Sequence, residues 1–339
     1  MRAPRRTARH ILEDTYALAS PALRSAVSKF PKAIQHPVGV HFGWWDRDGN
    51  SLRSNPGKCL RSALVILSCR ALGGSDHQAL PAALAVEMVH NASLLHDDII
   101  DNDRLRRGRA SLWSAMGVPA AILAGDALFF GSVQALTGAP HADRTVPVLL
   151  SAVQTLIEGE FVDTLMEKDT TATLDDALDM IAGKTAELLS CACTLGAILS
   201  GADDERVQHL GRFGLLLGVA FQCTDDVLGI WGDPESTGKP AMSDLRSRKL
   251  SVPIALAINE NGPPTERLRA LYRRKEPPTE AECRTIAHEL ERDGVREAVV
   301  KLARENAGEA LAALNSCDPD PVTVEELAEL TKMILQRSS

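Results

Sequence analysis

Apolar residues recur along most of this 339-residue chain at the three- and four-residue spacing of amphipathic α-helices. The pattern predicts a first helix over residues 8–27 and then a long irregular loop over 31–56, where Pro, Gly, Asp and Asn are frequent. The next helix is expected to begin near Lys58. No segment shows the convincing apolar–polar alternation that is typical of a half-buried β-strand.

Capping and helix-breaking residues define the remaining helices. Thr173, with Asp176 three residues later, resembles a capping box that opens a helix. The predicted helices after residue 70 cover about 76–103, 119–137, 143–168, 173–200, 203–231 and several segments from 247 to the C-terminus, with a loop over 232–240. The chain is therefore predicted to be one all-α domain, 1–339, built as a single large helical bundle with a central cavity. Within it, about 1–7 is expected to be a flexible tail and about 264–339 a helical appendage.

Composition narrows the classes of function. Hydrophobic residues make up 45% of the chain and charged residues 24%, which is typical of a globular protein with a substantial core. The net charge of −8 argues against a nucleic-acid partner. No run approaches the roughly 20 apolar residues that span a bilayer, so no transmembrane segment is expected. The seven cysteines are odd in number and lack zinc-ligand spacing, which indicates reduced thiols and a cytoplasmic location.

Asp97, Asp98 and Asp101 follow an apolar run at the end of the predicted helix 76–103. Asp97 and Asp101 are four residues apart, so their carboxylates share one helix face and repel each other. A magnesium ion would remove that repulsion, because it binds a few carboxylates together with water and phosphate oxygens. His90 lies two turns earlier on the same face, about 10 Å away. This side of the helix thus changes from small or apolar residues to carboxylates, which suits an amphiphile with a charged head.

A second pair, Asp225 and Asp226, lies near the C-terminal end of another apolar helix, where negative charge is unfavourable. Metal binding would explain why the arrangement occurs twice. Basic residues that could bind diphosphate oxygens are close in sequence to the motifs: Lys58, Arg61, Arg106, Arg107, Lys184, Lys239, Arg246, Arg248 and Lys249. Alone, each pair is also consistent with a solvated acidic helix end and each cation with a surface residue. Their joint occurrence favours a metal-dependent diphosphate site.

These residues together resemble the trans-isoprenyl diphosphate synthases, or polyprenyl synthetases, over about residues 55–255. The motifs that carry the resemblance are Gly57-Lys58-x-x-Arg61, His90, Asp97-Asp98-x-x-Asp101 with Arg106-Arg107-Gly108, Gly159-Glu160-x-x-Asp163, Lys184-Thr185, Phe221-Gln222-x-x-Asp225-Asp226, and Gly238-Lys239 through Asp244 to Lys249. The resemblance implies an all-α bundle of the isoprenoid synthase type, usually a homodimer. It also implies condensation of isopentenyl diphosphate with an allylic diphosphate, such as the dimethylallyl, geranyl or farnesyl compound.

The resemblance further implies a role for each matching residue. Three magnesium ions are implied, with Asp97 and Asp101 as ligands at the allylic diphosphate and Asp225 as a ligand on its other side. Asp98, Asp226 and Lys184 are counted among the catalytic residues. The residues implied to bind the diphosphate of isopentenyl diphosphate are Lys58, Arg61, His90 and Arg107. Those implied to surround the allylic diphosphate are Arg106, Lys184, Thr185, Gln222, Lys239 and Lys249.

Three positions depart from the family pattern. Gly229 occupies the position where the second motif usually has a third aspartate, and Asp233 is a candidate replacement. Glu160 replaces the usual glutamine, and Ser62 follows Arg61 where proline is common. These departures leave open a weakly active or regulatory subunit of a heteromeric synthase.

Product length in this family depends on the residues four and five positions before the first motif. Here they are Ser93 and Ala92, which are both small, while Met88 and Val89 could form a deeper floor. We therefore expect a C20 product, geranylgeranyl diphosphate, with a longer product as the alternative.

Two other functions compete with this interpretation. A class I terpene cyclase also has an aspartate-rich helix, but its second metal motif of Asn, Ser and Glu is missing near 220–235. It also has no use for Lys58, Arg61 and His90. A helical binding or scaffold protein would leave the ordered set of cations unexplained.

Overall fold

The structure is a computed structural model that describes residues 6–52, 59–166, 171–233, 241–259, 263–274 and 276–336. Over these residues the chain is almost entirely helical, which confirms the predicted all-α class. The helices are α1 Ala8–Val27, α2 Lys32–His41, α3 Leu60–Ala71, α4 Asp76–Ile100, α5 Leu112–Met116, α6 Val118–Thr137, α7 Ala142–Met166, α8 Leu174–Ile181, α9 Glu187–Leu199, α10 Asp204–Trp231, α11 Ser243–Ser247, α12 Val252–Ile258, α13 Pro263–Arg273, α14 Glu280–Arg292, α15 Val295–Asn315 and α16 Pro321–Leu335. A π-helical turn, Ala182–Ala186, joins α8 to α9, and a short antiparallel hairpin pairs β1 Leu105–Arg106 with β2 Arg109–Ala110.

The structure differs from the sequence prediction in several places, and one of them is the short helix α5, which lies where no helix was predicted. The predicted loop 31–56 contains α2, because Pro31 precedes the first turn and Val38 and Phe42 are buried in the core. The predicted continuous helix 173–200 is interrupted by the π-turn. The β1–β2 hairpin was not predicted, since two-residue strands are too short to show alternation. Residues Lys58 and Lys239, with most of the predicted loop 232–240, lie outside the described residues.

The chain divides into two compact units, which are described separately. The first comprises Met1–Val153, Cys191–Gly211 and Cys317–Leu327. In it, α4 packs against α3 on one side and α6 on the other. Helix α4 begins with a complete capping box, in which Ser75 and Gln78 each accept a hydrogen bond from the other's backbone N–H. This packing makes α4 a rigid support for the residues near its C-terminal end.

The second unit comprises Gln154–Ser190, Arg212–Ser316 and Ala328–Ser339. Helix α8 opens with the capping box expected at Thr173 and Asp176. Helix α12 packs against α8, α13 and α15, and its buried residues share one hydrophobic cluster with residues of α10 and α14. The helices after residue 263 therefore contribute to the core of this unit. The expectation of one domain over the whole chain stays a prediction.

Four helical segments are long and apolar enough, by length and composition alone, to cross a membrane. They are Val118–Thr137, Ala142–Met166, Leu174–Leu199 and Asp204–Trp231, and the protein itself buries 39%, 28%, 67% and 61% of their apolar windows. Among these four segments, α6 and α7 are the least buried. The expectation that the chain has no transmembrane segment stays a prediction.

Candidate active site

The first aspartate cluster lies at the C-terminal end of α4, in the first unit. Asp97 is half-buried, and Asp101 is exposed and caps the helix through its backbone N–H, which donates to the Asp97 carbonyl at 2.8 Å. Asp98, on a different face, is only 1% exposed and accepts a hydrogen bond from Arg106 Nε at 2.7 Å. Burial raises the pKa of Asp98 although Arg106 opposes the shift. Asp98 and Arg106 therefore stabilise the end of α4 that carries the cluster, while Asp97 and Asp101 remain accessible.

The donors at this helix end fit a magnesium ion chemically. They are carboxylate oxygens, and Oδ2 of Asp98 is a buried atom with no hydrogen-bond partner among the described residues. Nowhere in the described part of the chain do three or more His, Cys, Asp or Glu side chains form a metal cage by themselves. Magnesium does not require one, since it is commonly held by one or two carboxylates, water and substrate phosphates.

A hairpin turn presents the arginines that follow the cluster. Leu105 pairs with Ala110 and Arg106 with Arg109, which leaves Arg107 and Gly108 as the two turn residues. Both have positive φ, 53° and 74°, as a type I′ turn requires, and Gly108 adopts this conformation without steric cost. The Arg-Arg-Gly sequence therefore places Arg106 inward, against Asp98, and Arg107 at the exposed tip.

His90 lies on α4 within a group of basic residues in the first unit. Burial lowers its pKa well below the usual value, and the charges of Arg61, Arg107 and Arg106 lower it further. His90 is thus a neutral imidazole next to permanent cations, and it can donate a hydrogen bond to an anion without itself being charged. The structure brings together three of the four residues expected to bind isopentenyl diphosphate, and the fourth, Lys58, lies outside the described residues.

In the second unit, Lys184 projects from the π-turn. Its Nζ lies 2.8 Å from Glu160 Oε2 and 2.5 Å from Asp163 Oδ2, both on α7. Burial alone would lower the pKa of Lys184, but Asp163 and Glu160 outweigh it and raise the pKa above the usual value. Gly159 permits this approach, because a Cβ there would lie 2.3 Å from the backbone nitrogen of Lys184. The Gly-Glu-x-x-Asp motif is therefore the part of α7 on which Lys184 packs.

A line of hydrogen bonds joins the second aspartate pair to the π-turn. Thr185 Oγ1 donates to Gln222 Oε1 at 2.9 Å, and Gln222 Nε2 donates to Asp226 Oδ1 at 2.7 Å. The other oxygen of Asp226 accepts from the Val252 N–H at 2.9 Å. Burial raises the pKa of Asp226 to about 6, although Lys249 lowers it. Asp226 is therefore an internal anchor, and half-buried Asp225 is the accessible member of the pair.

Asp244 was named within a family motif of the sequence, but no role was assigned to it. Its carboxylate lies against Gly229, where an ideal Cβ would stand 2.2 Å from Asp244 Oδ2. Ser243 Oγ lies 3.2 Å from the Gly229 carbonyl, to which it donates, and 3.1 Å from Asp244 Oδ1. Asp244, and not exposed Asp233, occupies the space next to Gly229. The sequence shows that residue 229 has no side chain. Only the fold shows that the Asp244 carboxylate lies in the space this leaves.

The residues expected to set chain length lie on α4. Met88, Val89 and Ala92 are fully buried, and half-buried Ser93 donates to the His90 carbonyl at 2.9 Å. Met88 and Ala92 share a hydrophobic cluster with Phe30, an aromatic residue that sequence reasoning did not consider. The assigned roles of all these residues, and of the ligands above, stay predictions.

Comparison with known proteins agrees with the fold. Residues 44–290 match the family described as Polyprenyl synthetase. The chain is 40% identical to the geranylgeranyl diphosphate synthase of Mycobacterium tuberculosis over 330 residues, which is 96% of this chain and 93% of that protein. It is 39% identical to a (2E,6E)-farnesyl diphosphate synthase of Mycobacterium bovis over 262 residues, or 77% of this chain and 73% of that protein.

Two solved structures are also similar. The polyprenyl synthetase of Streptomyces coelicolor A3(2) superposes with a TM-score of 0.91 at 38% identity, covering 96% of this chain and 98% of that one. The polyprenyl synthase of Caulobacter crescentus, complexed with calcium and isoprenyl diphosphate, gives a TM-score of 0.86 at 30% identity and covers 99% of this chain and 100% of that one. These matches confirm the family resemblance and the isoprenoid synthase type of fold.

Proposed function

We propose that this chain, which belongs to the polyprenyl synthetase family and is a trans-prenyltransferase, forms geranylgeranyl diphosphate. It would do so by condensing isopentenyl diphosphate with allylic diphosphates. One observation supports this most strongly. Helix α4 carries fully buried Met88 and Ala92 on either side of neutral His90, which lies among arginines, and then the accessible carboxylates of Asp97 and Asp101. An apolar tail and an anionic head are the two parts of a prenyl diphosphate.

Basic residues and carboxylates have different roles in binding the diphosphates. In the first unit, Arg61, His90 and Arg107 offer hydrogen-bond donors to a diphosphate directly. The family uses a divalent metal, and we propose magnesium, three ions per site, with Asp97, Asp101 and Asp225 as ligands. When bound, these ions neutralise the charge that develops on a departing diphosphate. In the second unit we propose that Lys184 and Lys249 supply cationic donors to the allylic diphosphate. Thr185 and Gln222, which donate to Gln222 Oε1 and Asp226 Oδ1, are proposed to lie beside it. The positions of Lys58 and Lys239 lie outside the described residues.

The reaction balances without a further reactant. The allylic C–O bond breaks and its electron pair leaves with the diphosphate. The double bond of isopentenyl diphosphate then forms the new C–C bond with the allylic carbon, and a proton is lost to regenerate a double bond. Fully buried side chains such as Met88, Val89 and Ala92 exclude water, which would otherwise capture the allylic cation.

Small side chains support a C20 product. Ala92 and Ser93 offer no aromatic barrier immediately before the first motif, which argues against a stop at C10 or C15. The relative that covers nearly the whole chain is named a geranylgeranyl diphosphate synthase, whereas the relative named a farnesyl diphosphate synthase matches a shorter part of it. We therefore propose geranylgeranyl diphosphate as the product.

Separate incubations with C5, C10 and C15 allylic diphosphates, each with and without isopentenyl diphosphate and Mg²⁺, test this proposal. Elongation of each primer, strictly dependent on isopentenyl diphosphate, is the expected result. A cyclic hydrocarbon from an allylic substrate alone would indicate a terpene cyclase. No turnover with any primer would indicate a regulatory subunit.

Glu160→Gln is expected to lower KM for the allylic diphosphate about fivefold, which corresponds to about 1 kcal/mol. Glu160 and Asp163 both hold Lys184, so an incoming diphosphate has to compete with two carboxylates for this ammonium group. Steady-state kinetics with varied allylic substrate measures the effect. Glu158→Gln, at an exposed glutamate on the same helix, is the control and should leave KM unchanged. An unchanged or raised KM for Glu160→Gln would contradict this role.

We also propose that the chain is a cytoplasmic homodimer. All seven cysteines are free thiols, as in a reducing compartment. Ile157, Phe161 and Leu165 follow one another at four-residue spacing on α7 and are 54%, 63% and 62% exposed. An apolar stripe of this kind is unfavourable in water unless another surface covers it. A second copy of the chain is the partner that the family resemblance implies.

Phe161→Glu is therefore expected to convert the dimer to a monomer, because it puts a charge in the centre of the α7 stripe. Light scattering coupled to size-exclusion chromatography measures the mass. Val322→Glu, which changes a 60% exposed apolar residue on α16, is the matched control and should remain dimeric. A wild-type monomer, or a dimer that Phe161→Glu leaves intact, would refute the α7 interface.

A further inference from the structure

His41 is a titratable residue of the first unit that the proposed mechanism does not use. It is the last residue of α2, and it is half-buried. Its Nε2 lies 3.1 Å from Oδ1 of Asn91, a fully buried residue on α4. Asn91 follows His90 directly in the sequence. His41 thus links α2 to the part of α4 that carries the diphosphate-binding histidine.

The surroundings of Asn91 determine the protonation of His41. Asn91 Nδ2 donates to the Glu87 carbonyl at 2.8 Å and to Glu87 Oε1 at 3.1 Å. If the amide were rotated by 180°, its oxygen would face these two acceptors. Asn91 Oδ1 therefore points to His41 and can only accept, so His41 must carry its proton on Nε2. The imidazole ring is held in one orientation and one tautomer.

Glu87 makes this arrangement rigid. Its carboxylate is buried, with 8% of the residue exposed, and a buried carboxylate requires hydrogen-bond donors. Asn91 supplies one of them. Ser62 Oγ on α3 lies 3.2 Å from Glu87 Oε2 and 3.2 Å from the Ala83 carbonyl, so these two acceptors share its one proton. Proline, which is common in the family at position 62, could not donate this bond. The serine is thus part of a network that connects α3, α4 and α2.

The backbone of His41 extends the network to the arginine hairpin. Arg109 Nη2 donates to the His41 carbonyl at 3.2 Å. Gly43 permits the contact, because a Cβ at this position would stand 2.2 Å from Arg109 Nη1. Arg109 pairs with Arg106 across the hairpin, and Arg107 is in the turn between them. His41 therefore contacts α4 through its ring and the hairpin through its carbonyl.

We propose that His41 is a positioning residue that holds the Arg107 hairpin against the His90 region of α4, and so shapes the site for the diphosphate of isopentenyl diphosphate. This inference rests on the proposed function, because it assumes that Arg107 and His90 bind this substrate. His41 itself is not assigned a contact with the substrate. Its contribution is to keep donors from two separate chain segments at a fixed spacing.

The charge state of His41 suits this role. Burial lowers its pKa to about 3, opposed by the Asn91 hydrogen bond and reinforced by Arg107, Arg106 and Arg109. On α4, His90, also neutral, interacts electrostatically with His41, and the Glu87 carboxylate is joined to it through Asn91. A neutral ring ties the hairpin to α4 without adding another positive charge to the three arginines.

A pair of variants of similar length separates the hydrogen bond from the volume of the ring. His41→Gln keeps an N–H donor close to the position of Nε2, whereas His41→Met fills similar space without a donor. For His41→Met we expect KM for isopentenyl diphosphate to rise about tenfold, the effect of one lost hydrogen bond. The KM for the allylic diphosphate and kcat should change less than about twofold. His41→Gln should restore KM to within about threefold of the wild-type value.

Binding measured without catalysis gives an independent readout. Isopentenyl diphosphate in EDTA should raise the Tm of the wild type and of His41→Gln, and it should raise that of His41→Met much less at the same concentration. If the wild type elongates no primer, the proposed function fails, and this Tm measurement still tests the role of His41. Equal responses of the Gln and Met variants, in KM or in Tm, would overturn the inference. Equal rises in both substrates' KM would also overturn it, because they would indicate general damage.

The wild type and His41→Gln should also differ in how Tm changes with pH. The folded state keeps His41 neutral down to about pH 3, whereas the unfolded chain takes up a proton below about 6.5. The contribution of His41 to the free energy of unfolding is therefore complete above about pH 6.5 and is lost as the pH falls towards 3. Between pH 7.5 and 5, Tm should fall more in the wild type than in His41→Gln. An equal fall in both proteins would show that His41 is not held neutral.

Discussion

Replacing Asp97 with alanine is expected to lower kcat by about 10³-fold while leaving the helical fold intact. Asp97 and Asp101 are the accessible carboxylates of the first motif, and loss of one removes half of the charge that they offer to magnesium. The buried Asp98–Arg106 pair, which stabilises this end of α4, is untouched. Turnover as a function of Mg²⁺ concentration, together with circular dichroism, measures both parts of the prediction.

Asp103→Ala is the matched control for this variant. Asp103 is two residues beyond the motif, its side chain is 54% exposed, and its distance to Arg106 Nη2 is 3.7 Å. Removing it changes the net charge by the same amount as Asp97→Ala, and kcat should stay within about twofold of wild type. If Asp97→Ala kept more than about a tenth of wild-type turnover, the metal assignment would be wrong.

Gly229→Ala is expected to destabilise the protein by about 1–3 kcal/mol and to lower kcat by about tenfold or more. The added Cβ would stand 2.2 Å from Asp244 Oδ2, so α10 or the Asp244 carboxylate has to move. Asp244 acts electrostatically on both Asp226 and Lys249, and a displaced carboxylate would disturb that pair. Urea denaturation and steady-state kinetics measure the two effects.

Gly308→Ala shows what the same substitution does without the contact. Gly308 is in the interior of α15, and a Cβ there meets nothing within 4 Å. Because alanine favours helix over glycine by about 1 kcal/mol, this variant should be unchanged or slightly more stable. If Gly229→Ala were also stabilised and fully active, Asp244 would not need the space at Gly229. Asp244→Asn, which keeps the volume and removes the charge, then tests whether the charge itself contributes.

The sequence predicted those features that depend on local spacing. The helix that became α4 was recognised from its apolar run, and its C-terminal end, at Ile100, carries the predicted carboxylates. The capping box at Thr173 was equally local. Helical periodicity and side-chain capping act within a few residues, so one sequence is sufficient to reveal them.

Features that depend on distant residues were not predictable. Helix α2 looked like a loop, because its Pro37 and Gly39 disfavour helix. Tertiary packing stabilises it, through residues such as Val38, Ile34 and Val40. The partners of His41 are 50 and 68 residues away in the sequence. Asp244 lies 15 residues after Gly229, and their contact depends on the packing of α11 against α10.

The most direct test of the central claim is the incorporation of labelled isopentenyl diphosphate from dimethylallyl diphosphate in the presence of Mg²⁺. Mass spectrometry of the product counts the labelled units. The expected product is an all-trans C20 diphosphate with three labelled units, formed only when both substrates are present. A product that ends at one or two units would contradict the proposed chain length. A product with no labelled unit, such as a hydrocarbon formed from the allylic substrate alone, would contradict the condensation itself.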